Sequence, residues 1–94
     1  MDVTIEGDVL EWRGPAPHHF VRVPEAEGEA IRELAAHVSY GWGVIPVRGW
    51  LLGTEFTTSL FPREGGYLVP LKAAVRAEHG IGIGDHVVVR LRIG

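Results

Sequence analysis

Ninety-four residues, 46% hydrophobic and 22% charged, with thirteen glycines, six prolines and no cysteine, suit one small domain spanning 1–94. Domains typically need about 100–150 residues, so a second core does not fit, and the one core is thin. The absence of cysteine excludes disulfides, a thiolate nucleophile and Cys-ligated metal or iron–sulfur centres.

No apolar run approaches the roughly 20 residues of a membrane span. The acidic start at Met1-Asp2 is unlike a signal peptide, so a cytoplasmic protein away from membranes is expected. The net charge of −3 is uneven: residues 1–47 hold 3 basic and 8 acidic side chains, residues 48–94 hold 6 and 4. An acidic chain argues against general nucleic-acid binding, which relies on Lys and Arg neutralising phosphates.

In chain order, Val3 and Ile5 alternate with polar residues, the two-residue period of a half-buried strand. Leu10 and Trp12 continue in the opposite phase, which predicts a bulge at Gly7-Asp8-Val9. Gly14-Pro15-Ala16-Pro17 predicts a loop, and Phe20, Val21 and Val23 a short strand ending at Pro24. A first helix follows. Pro24 and the acids Glu25, Glu27 and Glu29 suit its N-terminus, and Ile31, Leu34, Ala35 and Val38 form one apolar stripe. Ser39-Tyr40-Gly41-Trp42-Gly43 ends it.

Val44 to Leu52 reads as a strand with Ile45, Val47 and Leu51 on one face and Val44, Trp50 and Leu52 on the other. Pro46 restricts its early part to an edge or bulge. Gly53-Thr54 is a candidate hairpin turn, after which Phe56, Thr58 and Leu60 alternate with Thr57, Ser59 and Phe61. Pro62 to Gly66 reads as a turn and Tyr67-Leu68-Val69 as a strand. Pro70 can open a second helix with Leu71, Ala74 and Val75 on its apolar side, capped by Gly80 with Ile81 beyond. After the turn Gly82-Ile83-Gly84-Asp85, Val87, Val89, Leu91 and Ile93 alternate along a last strand, with Val88 on the polar face. Three consecutive strands exclude a doubly wound parallel sheet. A mainly β fold is expected, a small, mostly antiparallel barrel with two short helices.

Several segments together resemble the bacterial domain of unknown function 1905 family. They are Trp12-Arg13-Gly14-Pro15, Phe20-Val21-Arg22-Val23-Pro24, Gly41-Trp42-Gly43-Val44-Ile45-Pro46-Val47 and Thr57-Thr58-Ser59-Leu60-Phe61-Pro62, then Gly66 through Arg76, Gly80-Ile81 and Gly84-Asp85. The likeness covers nearly the whole chain in order. It implies a double-split β-barrel and carries no activity. Residues 69–93 also resemble half of the AbrB-type regulators, swapped-hairpin dimers that bind DNA through basic surfaces.

The chemistry-bearing residues are few. Gly80-x-Gly82-x-Gly84 follows a helix and precedes a strand, the reverse of a phosphate loop, so cap and turn glycines are expected. His18-His19, His37, His79 and His86 lack helical metal-ligand spacing, and no metal or other cofactor is expected. Ser59, His19 or His86, and Asp85 supply residue types for hydrolysis, but no nucleophile elbow surrounds Ser59, so no catalytic residue is assigned. Lys72 and Arg76 at i, i+4 place two cations on one helical face near the positive helix start.

The reading that gathers most of these features is a non-enzymatic binding module, monomer or homodimer. Trp42, Trp50, Thr57, Ser59 and Tyr67 would offer rings and hydroxyls beside Lys72 and Arg76, for a small anionic ligand or a protein partner. Two other readings stand beside it. One is an AbrB-like DNA-binding dimer using Arg76, Arg90 and Arg92 on phosphate. The other is an enzyme or catalytic accessory, which would need converging polar groups in a pocket.

Overall fold

The computed structural model describes residues 1–12, 18–38 and 43–94, with the side chains of residues 36–38 outside the description. The expected loop at Gly14–Pro17, the helix end at Ser39–Trp42 and the helical Val38 side chain therefore lie outside the described residues. Six strands and two helices are present: β1 (Asp2–Trp12), β2 (His18–Arg22), α1 (Glu25–Val38), β3 (Ile45–Leu51), β4 (Thr54–Arg63), β5 (Gly66–Pro70), α2 (Ala73–His79) and β6 (His86–Ile93). The strands close into an antiparallel barrel in the order β1-β2-β5-β4-β3-β6.

Two long strands each serve two sheets. β1 pairs with β6 over Asp2–Asp8 and with β2 over Val9–Trp12. β4 pairs with β3 over Thr54–Leu60 and with β5 over Phe61–Arg63. The barrel thus consists of sheet A (β1, β6, β3, β4) and sheet B (β1, β2, β5, β4), joined where β1 and β4 change partners. This double splitting is what the sequence resemblance implied.

Alternation decides which side chains fill the barrel. Val87, Val89, Leu91 and Ile93 of β6 point inward, as do Ile45, Val47 and Leu51 of β3, Phe56 and Leu60 of β4, and Val21 and Val69 of β2 and β5. Gly49 also faces inward, opposite Phe56 on β4. A Cβ there would lie 2.7 Å from Phe56 Cζ, so the glycine makes room for the ring. Helix α1 buries Ile31 against the core and packs Leu34 and Ala35 around it. Helix α2 contributes Val75, and Leu71 and Ile81 on either side of it join the same core. Gly80 has φ 63° and ends α2 as expected. Its N–H donates to the Ala77 carbonyl, and Ile81 N–H donates to the Arg76 carbonyl, the paired bonds of a Schellman cap.

Four local expectations are corrected. The bulge at Gly7-Asp8-Val9 does not form: the β1–β6 and β1–β2 registers run without an inserted residue, and Ile5 and Val9 share the inner face. Leu10 and Trp12 instead stand on the outer wall, so their apolar character reports an exposed surface, not a phase slip. The first hairpin turn is Leu52-Gly53, not Gly53-Thr54, since Thr54 already pairs with Leu51. Leu52 and Gly53 have φ of 48° and 84°, the two positive values that match a two-residue hairpin to strand twist, and Leu52 is left 72% exposed. The second turn is likewise shorter, Glu64-Gly65 with φ of 50° and 77°, because β4 continues through Pro62 to Arg63. Finally, Pro70 ends β5 opposite Phe20 and α2 begins at Ala73. The extended backbone of Lys72 (ψ 143°) keeps the chain out of helix there.

Pro46, Pro62 and Pro70 obey one rule. Each lies where its strand has only one described neighbour: Pro46 pairs with β4 alone, Pro62 with β5 alone and Pro70 with β2 alone. A residue without an N–H is tolerated at such half-edges, and that is where a split barrel supplies them.

Candidate functional site

The forks of the split barrel create a groove among the described residues. β4 leaves β5 to join β3, and β5 leaves β4 to end beside β2. Between them, on the outer wall, lies a groove of about 840 Å³. Its floor and sides are Trp12, Phe20, Phe61 and Leu68, and the three half-edge prolines line it as well.

Cross-strand pairing brings these apolar groups together. On the outer face of sheet B, Phe20 stands between Leu10 of β1 and Pro70 of β5, while Leu68 stands beside Phe61. Trp12 meets Phe20 edge-on, with ring centroids 6.4 Å apart and planes at 74°, and the ring of His18, which pairs with Trp12 across the strands, lies 5.9 Å from Phe20. Phe20 is thereby buried, but Phe61 and Leu10 remain 44% and 48% exposed. Exposed large apolar groups in one patch mark a binding surface more often than scattered ones do.

The polar part of the groove is one-sided. Thr57, Thr58 and Ser59 of β4 supply hydroxyls, and His18, Arg63 and Lys72 supply the basic groups. Among the described lining residues there is no Asp or Glu, although acids outnumber Lys and Arg in the chain by 12 to 9. The Arg63 guanidinium lies 3.7 Å from the Trp12 ring centroid, a cation–π contact that fixes both side chains.

Of the residues expected at a binding site, Thr57, Ser59 and Lys72 meet in this groove. Tyr67 does not: it is 5% exposed and belongs to the core cluster. Trp50 lies on the outer wall of sheet A beneath Arg90 and Arg92, whose guanidiniums are 4.3 and 5.4 Å from its ring. Arg76 turns back to donate from Nε to the Leu71 carbonyl at 3.2 Å. Trp42 lies outside the described residues. The proposed pairing of Lys72 and Arg76 on one helical face also changes, because Lys72 precedes the seven-residue α2 as its N-cap. Phe20, Leu68, Arg63 and His18 line the groove without any sequence signal pointing them to a binding site, whereas Trp12 and Phe61 are among the large aromatics of the chain, a residue type suited to pockets.

The remaining polar clusters are structural in geometry. His86 Nδ1 lies 3.0 Å from Asp8 Oδ1, and neither Ser59 nor His19 is hydrogen-bonded to it among the described residues. Arg22 and Arg32 reach the β4–β5 turn. Arg22 donates to the Arg63 and Glu64 carbonyls at 3.3 and 3.2 Å, and Arg32 donates to the Gly65 carbonyl. Thr54 Oγ1 bridges Glu78 Oε2 and His79 Nε2 at 3.0 and 2.9 Å, which pins the β3–β4 hairpin to α2. On sheet A, Arg92 Nε donates to Asp2 Oδ1 at 2.9 Å, and this bond holds the Asp2 carboxyl below its usual range. Among the described residues no three His, Asp or Glu side chains form a metal-binding group, and no helix is long and apolar enough to cross a membrane.

Among curated proteins no sequence matches the chain. The sequence pattern of the family described as Domain of unknown function (DUF1905) matches residues 6–91, from within β1 to within β6, and the chain belongs to that family.

Proposed function

We propose that the protein is a non-enzymatic binding module whose groove takes a small anionic molecule with an apolar, ring-sized body. The observation that carries this reading is the lining itself: aromatic and proline surface with hydroxyls and basic groups, and no described acid, in an acidic chain. Ligand sites are commonly apolar clefts with a few oriented polar groups, and 840 Å³ falls within their ordinary size range of about 300–1,000 Å³. Trp12 and Phe61 would stack on the ligand body, Thr57 and Ser59 would hydrogen-bond to it, and Lys72 with Arg63 would meet the anionic end. The DNA-binding reading has less to recommend it. Arg76 is bonded to the Leu71 carbonyl and Arg90 lies on Trp50, so two of its three phosphate contacts are already engaged.

The test uses anilinonaphthalene sulfonate, an aromatic anion that fluoresces in apolar sites, against the uncharged anilinonaphthalene. The sulfonate should bind saturably with one site per chain. Lys72→Ala and Trp12→Ala should each weaken it by about tenfold, which corresponds to about 1.4 kcal/mol. The uncharged analogue should respond to Trp12→Ala alone. Unsaturable binding, or affinity unchanged in both variants, overturns the reading.

A further inference from the structure

A second concavity lies on the wall of sheet A. Its volume is about 470 Å³, and Pro46, Arg48, Thr57, Thr58 and Arg92 line it. Arg48 stands directly opposite Arg92 across β3 and β6, and directly opposite Thr57 across β3 and β4. Like charges placed directly opposite in a sheet repel, because their Cβ atoms are only about 4.5–5.5 Å apart.

The two arginines differ in how they are held. Arg92 gives Nε to Asp2 and lies near the Trp50 ring, so its direction is fixed while its terminal nitrogens remain. Asp2 and Glu55 favour its charge, but neither lines the concavity. Arg48 is exposed and has no hydrogen-bond or ion-pair partner among the described residues. One fixed guanidinium, one unpaired guanidinium and a threonine hydroxyl surround one hollow. Guanidinium forks match the tetrahedral oxygens of phosphate and sulfate, and an anion between them would cancel the repulsion.

We propose that Arg48, Arg92 and Thr57 form an oxyanion site for a phosphoryl or sulfuryl group. The group is either a free anion or the head of an ester whose apolar body lies in the neighbouring groove, since Pro46, Thr57 and Thr58 line both hollows. The anion site itself does not depend on the groove binding anything.

Thermal melting in sodium phosphate, against sodium chloride at equal ionic strength, tests it. Wild type should gain stability saturably with phosphate and not with chloride. Arg48→Gln should weaken that response by about tenfold or more, as loss of a charge-assisted bond does. In low salt without phosphate, Arg48→Gln should melt no lower than wild type, because a repulsive neighbour has gone. The phosphate response and its loss in Arg48→Gln should stand whether or not the groove binds the aromatic sulfonate, which separates this site from failure of the groove. Phenyl phosphate binding more tightly than phosphate, with the excess lost in Trp12→Ala, assigns an ester. Equal affinity assigns the free anion. A phosphate response no larger than that of chloride, or one unchanged in Arg48→Gln, overturns the proposal.

Discussion

The two sheets share one barrel interior but have opposite exteriors. Outside sheet A, charged side chains are mostly held by partners, Asp2 against Arg92, Asp8 against His86 and Arg90 over Trp50, while Arg48 faces Arg92. Outside sheet B stand Leu10, Trp12, Phe20, Phe61 and Leu68, with Arg63 lying on Trp12. A sheet with one face buried needs only that face to be apolar. Sheet A comes closer to that pattern, with Trp50 and Val88 standing outward among charged and polar side chains. Sheet B carries apolar surface that folding does not require, and that surplus is the strongest pointer to function.

The largest effect separating the walls should come from the inside of sheet A. Gly49→Ala puts a methyl group within 3 Å of the Phe56 ring, and the strand there cannot move without disturbing both β4 and β6. Overpacking of this kind costs about 1–3 kcal/mol. Each kcal/mol lowers Tm by about 4–8 °C in a domain this small, which calorimetry would register. An unchanged Tm would mean that the interior of sheet A is looser than its contacts indicate.

The two hairpin turns repeat the contrast. On sheet B, Glu64-Gly65 is held by Arg22 and Arg32, whereas on sheet A Leu52-Gly53 projects into solvent. Leu52→Asn should therefore stabilise the fold by about 1 kcal/mol, since asparagine tolerates the left-handed conformation that leucine resists. Urea unfolding measures this, and a loss of stability would contradict the assigned turn.

On the outer wall of sheet B, Phe61→Ser should shift stability by no more than about 0.5 kcal/mol, as surface changes usually do. It should nevertheless weaken binding of the aromatic sulfonate. A large loss of stability would place Phe61 in the core and remove it from the groove.

The smallest effect belongs to the surface pairs of sheet A. The Arg92 bond depresses the Asp2 value in the folded state, so its stabilisation is present above the ordinary aspartate value of 3.8 and fades as pH falls through the lower folded value. Asp2→Asn should flatten that acid limb of the melting curve and leave neutral behaviour nearly unchanged. An acid limb as steep as that of wild type would contradict the pairing.

The barrel was legible because alternation is strict where one face is buried, as Val87 to Ile93 show. The errors fall where a second rule overrode it. Leu10 and Trp12 imitated a phase slip because the outer face of β1 turns apolar at its end. Leu52 looked like a strand residue because the hairpin forces a leucine into positive φ. Pro70 looked like a helix start because a proline at a half-edge strand end and one opening a helix have the same neighbours in sequence. The groove was only partly legible. Thr57 and Ser59 follow from strand period, but which outer residues join them depends on pairing between β1, β2 and β5, which no local pattern encodes. Tyr67 was drawn into the expected site by its polar tip, and its place in β5 turns it inward.

Titration of the protein with anilinonaphthalene sulfonate, followed amide by amide by nuclear magnetic resonance, tests the central claim most directly. Shifts concentrated at Trp12, Phe20, Thr57 to Phe61, Leu68 and Lys72, with sheet A residues such as Glu6 and Val88 unmoved, are the expected result. Shifts spread evenly over both walls, or centred on Trp50 and Val88, would contradict a binding groove in the fork of the barrel.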